Sequence, residues 1–244
     1  MTLATLPTAK HEAWRYSDHR ALAELWPVTP AAPLTVAAGD AVTQVLVVDQ
    51  ATIVHDHKIV VEAGGRFTLH LLNLAGRYGR VALDVTLHRG AHFELGAVQV
   101  GGGDTTLELV TAVHHVEPEA TSNQLVRSVL AGHATGSYLG KVAVARNAQK
   151  VDASQGVRAM LLDRTATANA KPELEIYADD VKCAHGAAIG ELDRNALFYL
   201  ASRGLPPAAA RTILLQAFVA EVFEGAEDRE ALEARALQAL EALA

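Results

Sequence analysis

Hydrophobic and polar positions along this chain follow one rhythm in the middle and another at the end. From Leu34 to about Gly190 they alternate. Val81, Leu83, Val85 and Leu87 interleave with Ala82, Asp84, Thr86 and His88; Leu107 and Leu109 interleave with Glu108 and Val110; Val142 and Val144 interleave with Ala143 and Ala145. A period of two in β-branched and aliphatic residues predicts strands with one buried face. Gly39-Asp40, Gly64-Gly65, Gly76, Gly79, Gly90, Gly101-Gly102-Gly103 and Gly136 punctuate these runs as turn signals. The segments are short, evenly spaced and numerous, and no amphipathic helix of useful length separates them, which disfavours a doubly wound α/β sheet. One internal echo stands out: Gly64-Gly65-Arg66-Phe67-Thr68-Leu69 is matched by Gly90-Ala91-His92-Phe93-Glu94-Leu95. Repeated strand–turn units suggest a β-solenoid, whose coils bury their faces on one another. The alternation alone fits a β-sandwich or jelly roll equally well.

Both flanks differ from this middle. Residues 1–33 read as a lead-in segment: Trp14-Arg15-Tyr16-Ser17-Asp18 precedes a short helical spacing of Leu22, Leu25 and Trp26, which Pro27, Pro30 and Pro33 keep from continuing. Its aromatics are expected to dock over one end of the core. After the core at 34–191, residues 192–244 take a helical period. Asp193 suits the N-cap of a helix starting at Arg194, Gly204 suits its left-handed stop, and Pro206 or Pro207 suits the first turn of a second helix. Ile213, Leu214, Ala217, Phe218 and Val222 form the apolar stripe expected of that second helix. Ala226 to Leu243, rich in Ala, Leu and Glu, predicts a third helix that can pack on the core or on a partner.

Composition narrows the class. Half of the 244 residues are hydrophobic and only 5% are aromatic, so this is a folded protein with an aliphatic core. A net charge of −7 without any basic run disfavours nucleic acid and anionic membranes as partners. No secretory signal is legible between Met1 and Arg15, and no apolar run is long enough to suggest a membrane span. A single cysteine, Cys183, rules out an intrachain disulfide. A cytoplasmic location is expected.

Two groups of residues invite metal chemistry. His55-Asp56-His57 and His114-His115 are dense local clusters among the eleven histidines. On a strand, His55 and His57 share a face, but a catalytic zinc site takes about three converging ligands, and no H-E-x-x-H helix supplies the rest. Solvated or hydrogen-bonded histidines are the plainer reading. Cys183-Ala184-His185-Gly186 sets a thiol and an imidazole on one face of a strand, both suited to iron. Two ligands do not hold a cluster, which takes four, so another chain or exogenous ligands would have to complete one. On spacing alone, a buried thiol beside a surface histidine explains the pair as well. Asp179-Asp180, as neighbours on a strand, would face opposite sides, and are read as polar surface flanking the thiol. No G-x-S-x-G elbow, P-loop or S-x-x-K occurs, so the chain is not expected to be an enzyme.

The stretch Lys171-Pro172-Glu173-Leu174-Glu175-Ile176-Tyr177-Ala178-Asp179-Asp180-Val181-Lys182-Cys183-Ala184-His185-Gly186 is far more specific. It resembles the signature of the SufB/SufD family, on its SufD branch. The likeness continues through Gly190-Glu191-Leu192-Asp193, Leu197 to Leu205, Ala210-Arg211 and Ala217-Phe218. Upstream it takes in Gly140-Lys141-Val142-Ala143-Val144, Ala148-Gln149, Asp152-Ala153-Ser154-Gln155, His114-His115 with Pro118 and Ser122, and Trp14-Arg15-Tyr16-Ser17. It is dense after residue 110 and sparse before it. The SufB branch fits less well, because it looks richer in cysteine and carries a different sequence in place of A-D-D-V-K-C-x-H-G.

The resemblance implies a right-handed parallel β-helix with a small α-helical C-terminal subdomain. It implies a non-catalytic scaffold for iron–sulfur cluster assembly in the SUF system, forming a complex with a SufB-like subunit and a SufC-like ABC-type ATPase, with a homodimer as the alternative when alone. His185, with Cys183 beside it, would meet a transient cluster or iron shared with the SufB-like subunit, and the isolated chain would hold no tightly bound cofactor. Packing beside that interface would explain Cys183 equally well. Phe198, Tyr199, Leu200, Arg203, Gly204, Arg211 and Phe218 would fall in the ATPase-docking region. Two departures are visible: the chain is short for the family, which implies fewer coils or a reduced N-terminal helical region, and Ala188 stands where Thr is common. The rival from another class is a metal-dependent enzyme using His55, His57 and His114 or His115.

Overall fold

The computed structural model describes residues 5–243; the first four residues of the lead-in and Ala244 lie outside the described residues. After a short helix α1 (His19–Leu25) come β1 (Leu34–Val36), β2 (Ala41–Val48), β3 (Thr52–Val61), β4 (Arg66–Asn73), β5 (Tyr78–Leu87), β6 (His92–Gly101), β7 (Thr106–His115), β8 (Thr121–Leu130), β9 (Thr135–Val144), β10 (Asp152–Leu161), β11 (Thr167–Ile176) and β12 (Lys182–Gly190). Helices α2 (Arg194–Ser202), α3 (Pro207–Ala220) and α4 (Arg229–Glu241) follow. The odd-numbered strands make one sheet in the order β1-β3-β5-β7-β9-β11. The even-numbered strands make a second, and the pairing is parallel throughout. The chain crosses from one sheet to the other after every strand, so each coil lays one strand on each sheet. This is the parallel β-helix, and the sandwich and jelly-roll readings fall away. Among the described residues, no helix is long and apolar enough to cross a membrane.

In a parallel stack, equivalent residues of successive coils fall into columns. The sequence echo is one such column set: Arg66, Phe67 and Leu69 pair in register with His92, Phe93 and Leu95. The Phe67 and Phe93 rings stack at 6.0 Å with planes 7° apart, each fully buried and worth about 1.5–3 kcal/mol by area. Val81, Leu83, Val85, Leu87, Leu107, Leu109, Val142 and Val144 fill the core between the sheets as the alternation predicts. The glycine spacing has a similar origin. Gly39, Gly64 and Gly90 each stand two residues before an even-numbered strand, with φ of 76°, 69° and 63°. Glu119 and Lys150 occupy the same corner in later coils, also at positive φ. The corner N–H of each coil donates to a carbonyl of the next coil's corner, as from Gly64 to Arg89 and from Lys150 to Asp180. Gly79 and Gly136 are not turn residues: they lie inside β5 and β9.

The lead-in does not close an end of the solenoid. It lies on the outer flank of the odd-numbered sheet, and this changes the meaning of the alternation there. Glu108 points outward between Leu107 and Leu109, yet it is 0% exposed because the arm covers it. Its carboxylate accepts hydrogen bonds from Ser17 Oγ (2.9 Å), Tyr78 OH (2.8 Å) and Arg80 Nη1 (3.1 Å). The Arg80 guanidinium sits 3.8 Å from the centre of a Trp14 ring system, and Trp14 meets Trp26 edge-on at 6.0 Å. Glu108 is satisfied by three donors, whereas Arg80 has this one acceptor and leaves its Nε unpaired; a buried charge that loses its partner is strongly destabilising.

The C-terminal helices cover the outer face of the even-numbered sheet. Leu215, Val219, Val222, Phe223, Leu232, Ala236 and Leu240 pack on Leu72, Val98, Val100 and Val129. The third helix therefore packs on the core. The expected stripe on α3 is rotated: Leu215 and Val219 are buried, while Ile213 and Ala217 face out, because the apolar columns of the sheet decide which helical face is covered. Gly96 permits this approach, since a Cβ there would collide with the Val222 carbonyl. Arg127 fixes it by pairing with Glu221 at 3.0 Å.

Glu108→Ala leaves Arg80 buried without a partner and should lower stability by about 3–5 kcal/mol in urea titration. Both tryptophans of the chain lie in the arm, so their emission should shift to the red while far-UV dichroism stays β-rich; unshifted emission would contradict the arm's dependence on Glu108. His115 faces the core, and burial, with His114 adding, pushes its pKa down to about 4. The neutral ring is favoured in the folded chain, so its contribution is present above pH ~6.5 and is lost as pH falls towards about 4. On the order of 2–3 kcal/mol should disappear over that window, and His115→Gln should flatten it in urea midpoints measured at pH 7 and pH 4.5.

Candidate functional site

The last coil carries the candidate site. β12 pairs with β10 along its length, and its other edge has no strand beside it. A coil inside the stack hides its inward column under the next coil; β12 has none over it, and all but one of its residues are exposed. The inward columns run Phe67–Phe93–Ser122–Ala153–Cys183 and Leu69–Leu95–Gln124–Gln155–His185. Cys183 and His185 thus share the inward face, as the spacing predicts, at the open mouth of the solenoid.

Their environments differ. Cys183 is half-buried and packs against the main core. Burial pushes its thiol pKa up, Asp152 adds to this, and a backbone hydrogen bond from Ala153 partly opposes them. The thiolate is therefore disfavoured in the chain alone. His185 is exposed, beside a shallow groove of about 400 Å³ that Ser154, Arg158, Gly186 and Ala188 help to line. Asp179 and Asp180 lie in the bend before β12, where Asp180 N–H donates to Gln149 Oε1 at 2.9 Å. They are turn residues and not opposite faces of a strand.

Behind His185 the column turns polar. Gln155 Nε2 donates to Tyr138 OH at 3.0 Å, Tyr138 OH donates to Gln124 Oε1 at 3.1 Å, and Thr111 Oγ1 donates to the same oxygen at 2.7 Å. Gly140 makes room for the Tyr138 hydroxyl, with which a Cβ would collide. Strand alternation alone misses this network. A second echo carries the signal: Ser122-Asn123-Gln124-Leu125-Val126-Arg127 against Ala153-Ser154-Gln155-Gly156-Val157-Arg158.

The other histidines do not assemble. His55 and His57 stack at 5.7 Å on the inward side of the early coils. His114 points outward to Asp84 at 3.3 Å, while His115 points inward to Ser122 Oγ at 3.0 Å. Among the described residues, no group of three or more His, Cys, Asp or Glu side chains converges to hold a metal ion. A cluster at His185 would need ligands from outside the chain.

Helix α2 stands away from both cores. Asp193 caps it by accepting from Asn195 N–H at 2.8 Å, and Gly204 ends it at φ 89°. It buries none of its residues; Phe198 is 76% exposed and Tyr199 58%. Arg203 lies 5.7 Å from the Tyr199 ring, and Leu200 and Arg211 are half-buried. Phe218 differs from this group: it packs on the even-numbered sheet with Arg127 over its ring.

Comparison with known proteins gives the chain a family. The family model described as SUF system FeS cluster assembly, SufBD core domain, matches residues 36–218. The chain is 37% identical over 172 residues to Protein ABCI7, chloroplastic, of Arabidopsis thaliana, covering 69% of this chain and 36% of that one. It is 36% identical over 118 residues to the iron-sulfur cluster assembly protein SufD of Escherichia coli, covering 48% and 28%, and 31% identical over 133 residues to SufD of Bacillus subtilis, covering 54% and 30%. It spans about a third of the length of these relatives. The matched stretch runs from β1 into α3 and includes the terminal coil with His185: the chain belongs to the SufBD core family of the SUF iron–sulfur cluster assembly system.

Proposed function

We propose that this chain is a non-catalytic scaffold subunit that completes its last coil with a strand of a SufB-like subunit and presents His185 at the seam, where iron or a nascent iron–sulfur cluster is handled as cargo. The observation that carries the reading is the unfinished terminal coil. β12 offers a row of unpaired backbone groups, a template for strand addition. Among the two strands of that coil, β11 carries Pro172, which lacks the donor a sheet neighbour needs, whereas β12 has none. Ile176, Tyr177 and Ile189 supply exposed apolar area at the same rim. A partner strand there would lie beside His185 and could bring the remaining ligands. Cys183 is the weaker ligand candidate, because its thiol is raised in pKa and packed.

The exposed Phe198 and Tyr199 on α2 suit docking of a SufC-like ATPase, with Leu200, Arg203, Gly204 and Arg211 around them. Phe218 would act from beneath, holding α3 on the sheet. ATP binding that favours a closed pair of ATPases would pull on α2 and α3, and the Arg127–Glu221 contact would pass that displacement to β8 beneath. Such coupling is worth only the difference in ATP affinity between the two states. SufD relatives in bacteria and the chloroplast protein support the setting.

His185→Ala in the complex reconstituted with the SufB-like subunit and the ATPase of the same host should leave assembly intact. It should lower cluster yield by more than the ~10-fold that loss of even an outer-shell partner costs. Yield unchanged in an intact complex would remove His185 from the ligand set. Cys183→Ser, compared in parallel, should stay within about twofold of the parent if the thiol only packs.

A further inference from the structure

The histidine of the open coil is not alone in its column. Gln155 precedes it in register on β10, and adjacent strands lie about 4.8 Å apart. Gln155 is 2% exposed, and its Oε1 has no hydrogen-bond partner. Leaving a buried amide oxygen unpaired is costly, so its persistence here requires an explanation. The direction of the amide is set from behind. Tyr138 has a single proton, which goes to Gln124 Oε1, and Thr111 Oγ1 also donates to that oxygen. Tyr138 OH accepts from Gln155 Nε2, which turns the Gln155 nitrogen towards Tyr138 and leaves its oxygen unpaired. Tyr138 is itself held by the tight fit over Gly140.

We propose that Gln155 is a positioning residue for His185: its Oε1 accepts the ring N–H of His185, which fixes the tautomer and turns the other, unprotonated ring nitrogen to the seam. This rests on the reading of His185 as a ligand and adds what that reading lacks, a reason for one nitrogen to face the cargo. A metal-binding imidazole is oriented by the hydrogen bond its other nitrogen makes. In this structure the exposed His185 ring makes no hydrogen bond to Gln155; turned inward, it would meet the acceptor that the chain Thr111–Gln124–Tyr138–Gln155 holds at the mouth of the solenoid.

The test uses the full chain labelled with ¹⁵N-histidine, with the His185 signals assigned by their loss in His185→Ala. At a pH where the ring is neutral, the parent should show two widely separated ring-nitrogen shifts, the mark of one dominant tautomer. Gln155→Met keeps the length and removes the acceptor; the two shifts should move towards each other as both tautomers populate. Gln155→Glu restores an acceptor and should restore the separation. Tyr138→Phe, which frees the amide to turn, should give an intermediate pattern. Thermal melting of each variant identifies any that fails to fold, and the Glu variant then carries the comparison, since it should hold the parent separation. Identical ring shifts in the parent and a folded Gln155→Met, or a parent already averaged between tautomers, would overturn the proposal. Cluster yield enters none of these readouts, so the outcome is distinct from that of His185→Ala: Gln155 can fail as a positioning residue while His185 stands as a ligand.

Discussion

Each coil of this solenoid is completed only by the next one. A strand here satisfies its backbone on one side with the preceding coil and on the other with the following coil, and its inward side chains are hidden by the same neighbours. The Phe67–Phe93 stack, the corner hydrogen bonds and the Gln124–Gln155 column are all expressions of this one constraint. Where the stack stops, the constraint is unmet. Unpaired strand edges are a liability that folded proteins blunt or cover, and β12 is neither blunted by proline nor covered by the C-terminal helices. The exposed mouth with Cys183 and His185 follows from that.

The rest of the chain is spent on covering outer faces. The arm closes over the odd-numbered sheet by burying an Arg–Glu pair under Trp14, and α3 and α4 close over the even-numbered sheet with an aliphatic layer. Both coverings pin mid-stack strands and leave β12 uncovered, while the arm also reaches β11 of the terminal coil, where Lys171 pairs with Glu12 at 2.6 Å. Helix α2, with Phe198 and Tyr199 outward, touches α3 but is the one α-helix among the described residues that buries none of its side chains. Two unpartnered surfaces of different kinds, a strand edge and an aromatic helix face, suit two different partners, as the scaffold reading requires.

Much of this was legible in the sequence, for definable reasons. Alternation found the strands because both sheets bury one face, and the Phe67/Phe93 echo found the stacking because in-register columns repeat residue types. The helix starts at Asp193 and Pro207 were readable because capping is local. What depended on long-range covering was not. Glu108 reads as a solvated position until Ser17, 91 residues away, is brought over it. The stripe on α3 was misjudged because the sheet's columns choose which face is buried. The arm's docking on a flank, not an end, has the same origin. At the site, spacing alone put Cys183 and His185 on one face, but two ligands could not choose between a cluster and a structural thiol. That choice rested on the family signature. The role of Gln155 is not legible in strand alternation, because its meaning depends on the column that the Gln124/Gln155 echo marks.

The central claim is that the open edge of β12 receives a partner's strand. Amide hydrogen exchange across Lys182–Gly190 tests it most directly, with the chain alone and then bound to the SufB-like subunit of its host. In the free chain the amides that face β10 should be protected and the alternating, outward ones should exchange fast. Binding should protect those outward amides, with little change in β4, β6 or α4. Binding that protects α2 or the arm and leaves the exchange of β12 unaltered would contradict the account.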